Sequence, residues 1–154
     1  MVSEGEVVPD VRLEGAEGKA ISPADFRGNK LVIYFYPKDD TSGCTAEAQA
    51  FSALAPEFEK AGTWILGVSK DSAKSHSKFT EKYGLSVPLA TDPDGSVCEA
   101  FGTWVQKSMY GRKYMGIDRA TFLVDRDGVV KRAWRKVKVP GHAEEVLKAA
   151  QELP

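Results

Sequence analysis

Apolar residues along the chain occur in short runs separated by polar segments, and their spacing alternates between strand-like and helix-like. Residues 31–36 form the clearest run, rich in β-branched and aromatic side chains, and predict a buried central strand. This alternation is typical of a layered α/β domain with a central sheet. In chain order the pattern predicts a hairpin at 11–21, a short helix opened by Ser22 and Pro23, strand 31–36, a helix from Thr45, strand 63–69, helix 72–83, a short strand near Leu89, a short helix around Cys98, a hairpin with arms 120–124 and 129–134, and a helix at 141–153.

Cys44 lies between the central strand and the next helix, directly after the turn-forming segment 37–43. The residues from Thr45 onward are good helix formers, so the sulfur lies where unpaired backbone N–H groups and the positive end of the helix dipole converge. Thiols at helix N-termini beside cationic groups ionise more readily than a free cysteine, whose pKa is about 8.5. The sequence therefore predicts a reactive thiol at this position.

The segment around this cysteine carries a specific motif. Pro37, Thr41 and Cys44 follow the pattern proline, three residues, threonine or serine, two residues, cysteine, which resembles the active-site loop of peroxiredoxins. The flanking sequence YPKDDT at 36–41 resembles the peroxiredoxin Q branch, also called bacterioferritin comigratory protein. The resemblance extends along most of the chain and implies a thioredoxin-like fold with the peroxiredoxin N-terminal hairpin and insertions. It also implies a peroxidase in which Cys44 attacks a peroxide and becomes a sulfenic acid.

Attack on an O–O bond requires a thiolate, donors for two peroxide oxygens, and exclusion of water from the sulfur. The Thr41 hydroxyl can donate a hydrogen bond to a peroxide oxygen and accept one in return. Pro37 has a fixed φ and no N–H, so it can shield the thiolate without competing for the sulfur. The backbone N–H groups of Gly43 and Cys44 can complete the donor set in the manner of an oxyanion hole.

Arg119 is the best candidate for a cation beside the sulfur. It lies at the start of the apolar strand 120–124, and the resemblance implies that this arginine faces the thiolate. A guanidinium stays charged and carries several planar donors, so it can hold the thiolate and a peroxide oxygen together. We expect Glu47 to orient it. The alternative is that Arg119 is one of 21 basic residues and lies in solvent.

A sulfenic acid must be reduced again, and many peroxiredoxins carry a second cysteine five residues after the first. This chain has Gln49 at that position, and its other cysteine is Cys98. The resemblance implies that Cys98 resolves the sulfenic acid as an intramolecular disulfide with Cys44, which thioredoxin or a similar dithiol protein reduces. The alternative is a structural cysteine buried in the core.

A disulfide between these cysteines needs Cα atoms within about 7 Å, so local unfolding of a helix is expected. Pro56 is expected to end or kink the helix that follows Cys44, which would leave only a short segment to melt.

Composition predicts one domain over residues 1–154, with 42% hydrophobic and 28% charged residues. The net charge is −1, which gives no electrostatic reason to expect nucleic acid or membranes as partners. We expect no metal and no cofactor, because His76 and His142 are isolated and suit surface or capping roles. An acidic N-terminus and two distant cysteines favour a cytoplasmic protein.

Other functions remain open at this point. A thioredoxin-type oxidoreductase is disfavoured because no Cys-x-x-Cys pair is present. A one-cysteine peroxidase that uses an external thiol and a non-enzymatic redox sensor both remain possible alternatives. For a peroxidase, the expected partners are hydrogen peroxide or an organic hydroperoxide and a dithiol reductant, and the chain is expected to be a monomer or a weak dimer. Segment 102–115 is expected to cover the core, since aromatic and methionine side chains are common core fillers.

Overall fold

The computed structural model describes residues 2–154. Its strands are β1 (Leu13–Glu14), β2 (Ala20–Ile21), β3 (Lys30–Phe35), β4 (Thr63–Ser69), β5 (Leu89–Thr91), β6 (Trp104–Met109), β7 (Arg112–Ile117), β8 (Ala120–Val124) and β9 (Val130–Trp134). Its α-helices are α1 (Ser42–Lys60), α2 (Ala73–Tyr83), α3 (Ser96–Phe101) and α4 (His142–Glu152), and short 3₁₀ turns occur at Ala16–Gly18 and Pro23–Phe26. The strands and helices that the hydrophobic pattern predicted are therefore present, with bounds shifted by a few residues at most.

A seven-stranded sheet has the order β2-β1-β5-β4-β3-β8-β9, and β6 and β7 form a separate two-stranded hairpin. β3 runs parallel to β4 and antiparallel to β8. In the β3–β8 register Phe35 lies opposite Ala120. The end of β3 is therefore adjacent to the start of β8, which brings the loop after β3 close to the residue that precedes β8.

β3 is buried on both faces because its side chains alternate between two hydrophobic clusters, as the two-residue period of a strand requires. Ile33 and Phe35 belong to the cluster that includes α3 and its Cys98. Tyr34 belongs to the opposite cluster, which includes α1 and its Cys44 together with residues of α2 and α4. Full burial of each such side chain contributes roughly 1.5–3 kcal/mol. The two cysteines thus lie on opposite faces of the sheet.

α1 continues to Lys60 through Pro56, so the expectation that Pro56 ends the helix was wrong. Proline has no N–H, and the carbonyl of Ser52 therefore lacks its usual helical donor. Ser86 supplies one instead: its hydroxyl lies 3.3 Å from the Ser52 carbonyl oxygen, and its backbone N–H donates to Ser52 Oγ at 3.1 Å. This contact from the segment before β5 lets the helix pass through the proline.

The structure departs from the sequence expectations at both histidines, which are buried and not at the surface. His76 is 5% exposed on the inner face of α2, and His142 is 6% exposed at the start of α4. Each finds a hydrogen-bond partner in the interior: His76 contacts Asp39, and His142 Nε2 lies 2.8 Å from Thr121 Oγ1. The burial of both histidines depends on these tertiary contacts.

The hairpin of β6 and β7 does not cover the core as expected. Its tip residue Tyr110 is 98% exposed, and Met109, Tyr114 and Met115 are also largely exposed. The base of the hairpin, at Trp104 and Ile117, packs against the core. No helix within residues 2–154 combines the length and apolarity needed to cross a membrane.

Candidate active site

Cys44 lies in the first turn of α1, which begins at Ser42 and not at Thr45. The helix starts earlier because the Thr41 carbonyl already accepts from the Thr45 N–H at 2.8 Å. The N–H groups of Gly43 and Cys44 belong to this first turn, where no preceding helical carbonyl can accept from them. The cysteine is 2% exposed and is a free thiol. Its sulfur therefore lies at a helix N-terminus that has backbone donors to offer a ligand.

Arg119 precedes β8 and reaches the sulfur across the end of the sheet. Its Nη2 donates to Cys44 Sγ at 3.3 Å, and its Nη1 donates to Glu47 Oε1 at 2.7 Å. The side chain is only 16% exposed, so the alternative of a solvated arginine is wrong. Gly43 leaves space for the guanidinium, because a Cβ at this position would lie 3.1 Å from Nη2. A delocalised cation thus contacts both the thiol and a buried carboxylate.

Glu47 lies three residues after Cys44, on the same face of α1. Burial raises the pKa of Glu47 to about 7, and the charge and hydrogen bond of Arg119 oppose that rise. Burial also disfavours the charge on Arg119, but the negative charges of Glu47 and Cys44 outweigh this effect and raise its pKa. Among residues 2–154, Glu47 Oε2 finds no hydrogen-bond partner. The carboxyl group therefore gains and loses its proton near neutral pH, whereas the guanidinium is a permanent cation.

The loop between β3 and α1 holds Thr41 and Pro37, and both are exposed. Thr41 occupies the N-cap position of α1, yet its hydroxyl does not cap the helix and donates instead to the Lys38 carbonyl at 2.8 Å. With its proton committed in this way, the oxygen has lone pairs free to accept from a hydroperoxide. The structure brings Cys44, Arg119 and Glu47 into contact, while Thr41 and Pro37 lie on the adjoining loop.

Cys98 is fully buried on α3, across the sheet from Cys44. Its N–H donates to the Asp92 carboxylate at 2.8 Å, as does that of Val97 at 3.2 Å. Burial raises the pKa of the Cys98 thiol well above its ordinary value, and the neighbouring Asp92 raises it further. In this conformation Cys98 is a protonated core thiol that is not bonded to Cys44.

Sequence reasoning gave no role to a group of buried polar residues beneath the loop. Asp39 is buried and accepts a hydrogen bond from the Tyr36 hydroxyl at 2.6 Å, and it contacts His76 Nδ1 at 2.8 Å. A signal was available for the histidine: His76 and Phe79 are spaced three apart in an otherwise polar helix, which places both on its apolar face. For Asp39 no pattern distinguished it from its exposed neighbour Asp40.

The chain is similar in sequence and structure to bacterial peroxiredoxins. Residues 5–133 match the AhpC/TSA family. The chain is 47% identical over 146 residues to the putative peroxiredoxin bcp of Coxiella burnetii, and the aligned region covers 95% of this chain and 97% of that protein. It is 57% identical over 122 residues to peroxiredoxin Bcp of Xanthomonas campestris, spanning 79% and 76%.

Among solved structures, the chain resembles that of the Xanthomonas campestris bacterioferritin comigratory protein with a TM-score of 0.89 and 48% identity over 95% of both chains; that structure was obtained to study alkyl peroxide reduction. Peroxiredoxins have a thioredoxin-like fold. The structural similarity therefore confirms the fold that the loop motif implied, and β1 and β2 form its N-terminal hairpin.

Proposed function

Because the chain belongs to the AhpC/TSA family and is a peroxiredoxin of the Bcp type, we propose that Cys44 is the thiol that reduces its substrate, a hydrogen peroxide or organic hydroperoxide molecule. Membership of this family makes the protein a thiol peroxidase. The observation that supports Cys44 most directly is the 3.3 Å contact between its sulfur and Arg119 Nη2. A permanent cation and a helix N-terminus beside a sulfur both favour the thiolate, which is the nucleophilic form of cysteine.

In the proposed reaction the Cys44 thiolate attacks the terminal oxygen of the hydroperoxide. An S–O bond forms, the O–O bond breaks, and the bonding electron pair leaves with the second oxygen. The products are a cysteine sulfenic acid, which keeps the transferred hydroxyl, and a hydroxide or alkoxide, which takes up from the solvent the proton that Cys44 released on ionising. Cys44 is thereby oxidised by two electrons and the peroxide is reduced by two.

Negative charge moves from the sulfur to the departing oxygen, so donors directed at both atoms lower the barrier most. We assign Arg119 to this task because its planar guanidinium can contact the sulfur and a peroxide oxygen at once. The N–H groups of Gly43 and Cys44 provide further donors. The Thr41 hydroxyl accepts from the terminal peroxide O–H, and Pro37 shapes the loop around the sulfur.

Glu47 is the proposed positioning residue for Arg119. The 2.7 Å ion pair from its Oε1 to Nη1 directs the other guanidinium nitrogen toward the sulfur. Since α1 carries both Glu47 and Cys44, the helix holds the orienting carboxylate and the nucleophile in one rigid unit.

We further propose that Cys98 resolves the sulfenic acid. Its thiol sulfur attacks the Cys44 sulfur, an S–S bond forms, and the hydroxyl leaves as water with the thiol proton. Since the cysteines lie on opposite faces of the sheet, this step requires one of the helices to unfold locally. α3 is the better candidate because it is only 6 residues long, whereas α1 continues for 19 residues through Pro56.

Thioredoxin or a similar dithiol protein then reduces the disulfide by thiol–disulfide exchange and regenerates both thiols. We place this cycle in the cytoplasm, where such reductants keep thiols reduced.

We also propose that residues 1–154 form one domain and that the chain works as a monomer or weak dimer.

One observation favours a second mechanism in which an external thiol reduces the sulfenic acid directly. Cys98 is fully buried and its pKa is raised, so it is a poor nucleophile while α3 stays folded. In this mechanism Cys98 remains a core residue throughout the cycle.

The two mechanisms differ in the product of a single turnover. The reduced native protein and Cys98→Ser are each treated with one equivalent of hydrogen peroxide, and the products are identified by mass spectrometry. Resolution by Cys98 requires that the native chain lose two hydrogens as an internal disulfide while the variant gains one oxygen. If both chains gain one oxygen, an external thiol resolves. Turnover with thioredoxin as the sole reductant tests the recycling step.

A further inference from the structure

The loop that carries Thr41 is held to α2 by a buried polar cluster. The Asp39 carboxylate accepts from the Tyr36 hydroxyl at 2.6 Å through Oδ1 and from the Ser75 hydroxyl at 2.8 Å through Oδ2. His76 Nδ1 lies 2.8 Å from the same Oδ2. Burial alone would raise the pKa of Asp39, but the hydrogen bonds from His76, Tyr36 and Ser75 hold it below its usual value. The carboxylate is therefore an ionised acceptor for all three groups.

Both ring nitrogens of His76 face acceptors. Nε2 lies 3.0 Å from the Ala90 carbonyl oxygen in β5, and a carbonyl can only accept. Nδ1 faces the ionised Asp39. Hydrogen bonds at the two ring nitrogens therefore join His76 to Asp39 on the loop side and to Ala90 on the sheet side. These bonds connect the loop to β5 of the central sheet.

A backbone contact also holds the loop, since the Asp39 N–H donates to Asp71 Oδ2 at 2.8 Å. Asp40 adopts a left-handed backbone conformation, with φ of 59°, which is unfavourable for a residue with a side chain. Its carboxylate is tied to α2 through Lys82 and Tyr83, at the surface. Thr41 in turn donates to the carbonyl of Lys38, the neighbour of Asp39. Thr41 is thus held in place by a segment that Asp39 anchors.

We propose that His76 is a positioning residue for the peroxidase reaction: by holding Asp39 against α2 and β5, it keeps Thr41 in the position from which it contacts the peroxide. The proposal rests on the function assigned to Cys44 and Thr41 above. His76 lies beneath the loop and would act on the peroxide through the position of Thr41. Its contacts do not include Arg119 or the Cys44 sulfur.

Three substitutions separate the two hydrogen bonds of the ring. In His76→Asn the amide N–H₂ lies near the place of Nδ1 and can still donate to Asp39. In His76→Gln it lies near the place of Nε2 and can still donate to Ala90. His76→Leu removes both bonds. We expect the rate constant for peroxide to fall about 10²-fold in the Gln and Leu variants, because small misplacements of a reacting site have effects of this size. The Asn variant should keep most of the native rate.

A second readout separates positioning of the peroxide from a change at the sulfur. Iodoacetamide needs only an accessible thiolate, so all three variants should be alkylated at Cys44 at the native rate. Ser72→Ala is the matched control for a weakened α2: it removes the hydroxyl that caps the Ser75 N–H at 3.1 Å and leaves His76 in place. It should lower the melting temperature but keep the peroxide rate.

Equal peroxide rates in the native, Asn and Gln proteins would overturn the proposal, and this comparison does not depend on whether the Leu variant folds. Parallel losses of the alkylation rate and the peroxide rate would also overturn it, since they would place the effect at the sulfur. A native protein that reacts with peroxide no faster than free cysteine would overturn the proposed function as well. The two failures are therefore distinguishable.

Discussion

Replacing Arg119 with methionine removes both contacts of the guanidinium while keeping much of its apolar volume. The lost donor to the sulfur should slow the reaction with peroxide about 10²–10³-fold, which is the usual effect of removing one donor directed at developing charge. Arg119→Lys keeps the charge but not the planar pair of donors, so its rate should lie between those of the native protein and the methionine variant.

The same change leaves Glu47 without its partner, and the resulting loss of stability should depend on pH. Removing one member of a buried ion pair costs about 3–5 kcal/mol when the remaining charge cannot be neutralised. Glu47 can be neutralised easily, because burial already raises its pKa to about 7. We therefore expect Arg119→Met to cost about 1.4 kcal/mol near pH 8, the free energy of protonating a carboxyl group one unit above its native pKa, and almost nothing near pH 6, where Glu47 is mostly protonated in both proteins.

Stopped-flow measurements with hydrogen peroxide give the rates, and urea unfolding at the two pH values gives the stabilities. Arg112→Met is a suitable control because Arg112 is exposed at the end of the β6–β7 hairpin. It should change neither quantity. A peroxide rate near the native value in Arg119→Met would refute the role of the guanidinium in the reaction. An equal loss of stability at both pH values would refute its pairing with an ionised Glu47.

Substitutions at three further positions test other parts of the site. Thr41→Val should slow the peroxide reaction by about 10²-fold while Thr41→Ser retains it, as measured by stopped-flow kinetics; equal rates would exclude a role for the hydroxyl. Because the folded-state pKa of Glu47 is raised, native stability is greatest below its unfolded pKa and falls as pH rises toward about 7. Glu47→Gln should remove this decline, which is on the order of 3 kcal/mol, and unfolding curves from pH 5 to 8 would show an unchanged slope if the assignment is wrong. Gly43→Ala should move the Arg119 guanidinium, because the new methyl would lie 3.1 Å from Nη2, and a native peroxide rate in this variant would contradict that expectation.

The sheet and most helix positions could be predicted because they depend on local patterns. The run at 31–36 is apolar on both faces, and a strand at the centre of the sheet requires this. The loop motif likewise predicted Cys44 as the reactive thiol, and the family resemblance implied that Arg119 faces it, before any distance was known. The continuation of α1 could not be predicted, because the group that compensates for Pro56 is Ser86, thirty residues away in sequence.

The same limit applies to Cys98 and His76. The face on which α3 packs depends on how the chain crosses the sheet, so the sequence could not show that Cys98 lies opposite Cys44. The burial of His76 depends on Asp39, which lies on a different element and is matched to it only in the folded chain. Contacts between distant segments decide these features. For His76 the sequence carries one periodic signal, its spacing of three from Phe79, but nothing in it indicates the partner Asp39.

The central claim is that Cys44 is the thiol that reacts with peroxide. Stopped-flow tryptophan fluorescence of the reduced native protein, Cys44→Ser and Cys98→Ser, each mixed with hydrogen peroxide, tests it most directly. We expect fast oxidation of the native and Cys98→Ser proteins and no fast phase in Cys44→Ser. A fast phase that survives in Cys44→Ser, or a native protein that reacts no faster than free cysteine, would contradict it.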